Sequence, residues 1–173
     1  MFATIHLPNF FLQAALRHET ELDGKAVALI DDQAPKAVII QLNQAAEEAG
    51  VHCGMTPSQG LARSLALIVR TRQRPQERIL AQLLLHFSHT LTPYVEATAP
   101  GLCTVQFTDA RNVSAKVERM VAQLADAGIV ACAGIAQTAD TSLLAAHLAR
   151  PVLQVGDTKK FLASLPIEAL AFA

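Results

Sequence analysis

From residue 91 onward, short apolar runs alternate with amphipathic stretches in an order that reads strand, strand, helix, strand, helix, strand. The strands are expected at 94–97, 102–108, 129–136 and 152–155. The first two flank Ala99-Pro100-Gly101, a tight-turn signal. The helix over 114–127 has Ser114 as its expected cap, an inward stripe of Val117, Met120, Val121 and Leu124, and Gly128 to close it. Thr138 or Asp140 caps the next helix, Pro151 breaks it, and a last short helix starts near Thr158. The apolar run 2–7 can enter the same sheet. This order constrains the chain to an α+β architecture: a mixed sheet with its long helices on one face.

Between that first strand and the rest lies a smaller α/β insertion. The run 2–7 ends in Pro8-Asn9, and Phe10-Phe11 opens a helix reaching Arg17. Strands are expected at 25–30 and 37–42, joined by the turn Asp31-Asp32-Gln33-Ala34-Pro35 as an antiparallel hairpin. Asn43 caps a short helix ended by Gly50, and Thr56 with Pro57 starts another. Residues 65–69 read as a buried strand. Pro75 then starts the longest helix, with Ile79, Leu80, Leu83, Leu84, Phe87 and Leu91 as its buried face, and Thr92-Pro93 ends it.

Composition narrows function more than fold. With 173 residues, 51% of them apolar, the chain is long enough to bury a core. No apolar run approaches the ~20 residues of a membrane span and no basic leader opens the chain, so a soluble, cytoplasmic protein is expected. The formal charge of −1 argues against strong autonomous nucleic-acid binding. Arg70, Arg72, Arg74 and Arg78 form the one basic cluster, read either as a solvated loop or as an edge making weak nucleic-acid contact. Cys53, Cys103 and Cys132 lack ligand spacing and read as buried thiols of a reducing compartment. His86 and His89, one turn apart, read as a partly exposed helix face. Asp31 and Asp32 read as turn chemistry, and no serine has an activating context. Neither a metal site nor a cofactor is expected.

Several local phrases, in order and at the right spacing, resemble the catalytic core of the Y-family translesion DNA polymerases. They are Phe10-Phe11, the 22–28 phrase Leu-Asp-Gly-Lys-Ala-Val-Ala, the 50–56 phrase Gly-Val-His-Cys-Gly-Met-Thr, Ala133-Gly134-Ile135-Ala136 with Leu143-Leu144-Ala145 and Ala149-Arg150-Pro151, and the closing stretch 161–170. The resemblance implies a ferredoxin-like polymerase palm with a small fingers insertion. Residues 1–11 and 74–165 would be palm, 12–73 fingers and 166–173 the start of a thumb.

That family's chemistry requires carboxylates that hold two magnesium ions. By resemblance, the first acidic positions are occupied here by His6 and Pro8, and the later pair by Pro100 and Gly101. Where the family has a Tyr and an Arg gripping the triphosphate, this chain has Gln44 and Glu47. Glu47 places negative charge where the polyphosphate would sit. The two basic positions of the late palm helix read Ala139 and Leu143, and Phe11, the ribose-selecting position, is left with no nucleotide to select.

The pattern resembles the catalytically inactive ImuB-type branch of the family. It implies a non-enzymatic adaptor in translesion synthesis, DNA repair and SOS mutagenesis. Its implied partners are an error-prone polymerase subunit, a RecA-like accessory subunit and the sliding clamp, met mostly through regions beyond this chain, with weak or no DNA binding here. The alternative reading is an α+β regulatory or small-molecule-binding domain that reuses the palm fold.

Overall fold

The computed structural model describes residues 1–167. Within them the chain divides into two units, residues 1–8 with the segment from 81 onward, and residues 9–80. The divisions fall after Pro8 and inside the longest helix, where the sequence reading put them after residues 11 and 73. The closing stretch 161–170 and the expected thumb start lie partly outside the described residues.

The first unit is built on a five-stranded sheet in the order β5-β6-β1-β7-β8. Its strands are β1 (Phe2–His6), β5 (Val95–Ala99), β6 (Leu102–Gln106), β7 (Cys132–Ala136) and β8 (Val152–Gln154). The central strand β1 runs antiparallel to both β6 and β7, and β7 is parallel to β8. Parallel strands need a crossover, and α6 (Ala139–Leu148) supplies it. Ala3, Thr4 and Ile5 are wholly buried, so β1 is covered on both faces.

Two contacts show how. Thr4 Oγ1 meets Ser142 Oγ of α6 at 2.8 Å, while Cys103, one register step away on β6, faces Ser88 of α4 (Arg74–His89). Helices α4 and α5 (Val113–Asp126) border a common groove. The two long helices therefore share one face, and the shorter α6 packs on the other. A thread of hydroxyls satisfies the buried Thr4: Thr98 donates to Thr104, Thr104 and Thr4 lie 3.1 Å apart, and Ser142 donates onward to the Ala139 carbonyl.

The second unit holds a three-stranded sheet, β3-β2-β4, formed by β2 (Val27–Ile30), β3 (Ile39–Leu42) and β4 (Ile68–Thr71). Strands β2 and β3 make the expected antiparallel hairpin, although β3 starts at Ile39 rather than at residue 37. Alternation along β2 splits the core. Val27 and Leu29 pack with Leu12 of α1 (Phe10–Leu16), while Ala28 packs with Ile39, Ala46 and Val51 on the other side. Asn43 caps α2 (Gln44–Glu48) and Thr56 forms a full capping box on α3 (Pro57–Arg63), both as expected.

Four local expectations are corrected. The strand read over 65–69 is displaced to β4, because the chain turns at Ser64 and leaves Leu65 94% exposed. On α4 the buried stripe is Glu77, Leu80, Leu84 and Ser88, and Ile79 is exposed. Helix α5 is entered through Asn112 in a left-handed conformation with no side-chain cap, and Ser114 instead donates to Glu118. Cys53 is exposed, not a buried thiol. No helix among the described residues is long and apolar enough to cross a membrane.

Candidate functional site

The end of β1 is where the positions of interest meet. His6 pairs in register with Leu102 of β6 and with Cys132 of β7. One residue further, the Leu7 N–H donates to the Gly101 carbonyl at 2.8 Å. The β5–β6 turn carrying Pro100 and Gly101 is thereby tied to the segment His6-Leu7-Pro8, and positions nearly a hundred residues apart are brought to one place. Gly101 has a φ of 75°, the left-handed conformation that a tight turn here requires. Glu96, the nearest acid in sequence, is exposed on β5 opposite Thr104, two residues along β6 from Leu102.

The side chains around His6 set its chemistry. Its ring lies against that of His147 on α6, with centroids 4.2 Å apart. Burial above all, then His147, and more weakly Arg150, push its pKa down to about 4, with the Ala146 backbone pulling the other way. His147 is lowered too, by burial. The Nδ1 of His6 is buried with no hydrogen-bond partner. The Cys132 thiol, in register with His6, is raised by burial. At neutral pH the cluster holds neutral imidazoles and a neutral thiol within the field of a guanidinium. Among the described residues no group of three or more His, Cys, Asp or Glu is placed to hold a metal ion. A magnesium pair does not fit the end of β1, because hard cations take oxygen ligands and the strand end offers an imidazole, a proline ring and no carboxylate.

In the second unit, Phe10 is buried and Phe11 half-buried, with rings edge to face at 5.3 Å. The Arg72 guanidinium lies 3.9 Å above the Phe11 ring. It donates twice to Glu77, at 2.9 and 2.6 Å, and once to Asp31. Arg74 also reaches Asp31, and Arg70 is held by Glu19. Of the four arginines singled out as a nucleic-acid edge, three are thus bound by carboxylates of their own unit, and Arg78 is exposed with no such ion pair among the described residues. Asp31 does cap its turn, accepting from the Gln33 N–H, and in addition anchors two guanidinium groups. Gln44 and Glu47 are exposed on α2, with Gln44 donating to Glu48. Ala139 opens α6 in the first unit.

The sequence reading missed the company His6 keeps. His147, Cys132 and Arg150 become its neighbours only through the β1–β7 register and the docking of α6, which residue spacing does not encode. It missed Glu19, 51 residues from Arg70, for the same reason, whereas Glu77, five residues from Arg72, was within reach of a local charge reading.

A sequence profile of the impB/mucB/samB family matches residues 5–147. The chain belongs to that family. No curated protein matches it significantly. Among solved structures, a post-insertion binary complex of Dbh DNA polymerase matches with a TM-score of 0.86 at 15% identity, covering 97% of this chain and 52% of that one. DinB from Sulfolobus solfataricus matches with 0.84, 15%, 97% and 52%, and an insertion ternary complex of Dbh DNA polymerase with 0.85, 15%, 97% and 53%. The fold is that of a Y-family polymerase palm. The chain spans about half the length of the solved structures it matches.

Proposed function

We propose that this domain is a non-catalytic, Y-family polymerase-like adaptor that acts in the cytoplasm in translesion DNA synthesis and induced mutagenesis as part of the SOS response to DNA damage. The observation that carries the reading is the end of β1, where His6, Pro8, Pro100 and Gly101 converge and an imidazole held neutral stands in the field of Arg150. Two-metal phosphoryl transfer needs carboxylates that bridge the cations and counter their charge. A ring neutral down to about pH 4 beside a fixed positive charge does the opposite.

The second unit supports the same reading. The Phe11 ring is covered by Arg72, and the acid Glu47 is exposed at the position where the resemblance implies a triphosphate-gripping Arg. A frame kept without its chemistry serves by binding proteins. The partners that fit are those of a mutagenesis cassette: an error-prone polymerase subunit, a RecA-like accessory subunit and the sliding clamp.

Primer extension on an undamaged and an abasic template, with magnesium and then manganese, tests the reading. No template-directed synthesis above background is expected with either metal. Synthesis that disappears when palm residues such as His6 and Glu96 are substituted would overturn it.

A further inference from the structure

The cations of this chain are of two kinds. Arg70, Arg72 and Arg74 are held by carboxylates. On the first unit, by contrast, a groove of about 520 Å³ runs between the end of α4 and the middle of α5 and carries Lys116 and Arg119. Both are exposed, and neither makes an ion pair among the described residues. Asp109, the acid whose field reaches Lys116, is already held by Arg111 at 2.8 Å. The half-buried Phe87 and Leu91 supply apolar surface above the buried Met120, His86 stands on the rim, and no carboxylate among the described residues lines the groove.

We propose that the α4–α5 groove is a docking surface for an acidic amphipathic helix of a partner protein, one that presents an apolar ridge flanked by Asp or Glu. Two neighbouring helices leave a groove that accepts the side-chain ridge of a third. Phe87 and Leu91 receive the apolar ridge, while the unneutralised Lys116 and Arg119 meet the carboxylates and fix the orientation. Nucleic acid is the poorer occupant. Two Lys or Arg are too few to track a phosphate backbone, and the aromatic ring in the groove is half-buried rather than offered as a stacking face. The inference goes beyond the adaptor reading and does not depend on whether the palm catalyses.

The test uses a fluorescein-labelled helical peptide of about 16 residues, with Leu at the i, i+3, i+4, i+7 positions and Glu flanking them, and a matched peptide with Lys replacing every Glu. Fluorescence anisotropy with the full chain should show the acidic peptide binding at least roughly tenfold more tightly than the basic one. The double reversal Lys116→Glu with Arg119→Glu should invert that order while leaving the melting temperature unchanged. Amide shifts on titration should centre on His86, Phe87, Lys116 and Arg119. Equal binding of the two peptides, indifference to the reversal, or shifts centred elsewhere would each overturn the proposal. So would a single-stranded oligonucleotide that displaces the peptide and binds more tightly, or a dimer of this chain that the reversal dissolves. Primer extension is a separate readout, so the failure of either proposal is distinguishable from failure of the other.

Discussion

His6 closes β1 with an ionisable ring whose surroundings oppose ionisation, and the consequence is a pH dependence with a definite sign. The folded pKa, about 4, lies below the ordinary value of 6.5. As pH falls, the unfolded chain takes up the proton first, so the His6 contribution is complete above pH 6.5 and is lost between there and 4. A shift of that size corresponds to roughly 3 kcal/mol, which the partial exposure of the ring reduces to roughly 1–2 kcal/mol. Carboxyl groups of model peptides titrate near pH 4, so the part of this window above about pH 5.5 isolates the imidazoles. Urea unfolding should show stability falling from pH 7 to about 5.5, with His6→Gln flattening most of the slope. An unchanged slope would show that His6 titrates normally. In the sequence His6 is readable as a residue standing at an acidic position. That it is silenced by burial, with His147 and more weakly Arg150 adding to it, is not, because those groups lie more than 130 residues away along the chain.

Elements announced by caps and turn residues were legible. Asn43, Thr56-Pro57 and Thr138 cap helices as their side-chain chemistry dictates, and Gly50, Gly101 and Gly128 adopt the positive φ that their turns require. Apolar runs alone found β1, β7 and β8 but marked element starts less precisely. The run over 65–69 has no turn residue to mark where α3 stops, so its first leucine reads as core although it is solvent-facing. The stripe of α4 was legible only in part, with Leu80 and Leu84 buried and Ile79 exposed. Glu77 is buried there because Arg72 neutralises it, and Ser88 is buried on the side facing Cys103 with its Oγ lacking a hydrogen-bond partner among the described residues, neither visible from periodicity. The tightest junction between elements is Gly134 on β7. A Cβ there would run into the backbone of Ser142, Ala145 and Ala146, which a helix cannot move without leaving the sheet. Gly134→Ala should therefore cost roughly 3 kcal/mol by overpacking, measured as the urea midpoint, whereas Gly156→Ala, with open space around it, should change it by less than roughly 0.5 kcal/mol.

Over the whole chain 14 Lys and Arg nearly balance 15 Asp and Glu, so any pull on nucleic acid has to come from local clustering. The one cluster visible in the sequence is largely cancelled by Glu19, Asp31 and Glu77, of which only Glu77 lies within the arginine stretch itself. Counting charges in a window therefore overstates the field that a phosphate backbone would meet. The salt dependence of binding reports how many cations are free. For single strands the slope of log K against log salt is about −0.7 per neutralised phosphate. Four available arginines predict a slope near −3, while Arg78 alone predicts one shallower than about −1. Anisotropy of a labelled oligonucleotide between about 25 and 150 mM salt, on the variant with Lys116 and Arg119 reversed so that those cations do not contribute, should give the shallow value. A slope steeper than about −2 would mean that the ion pairs open to receive phosphate, and the arginine edge would then be a nucleic-acid surface after all.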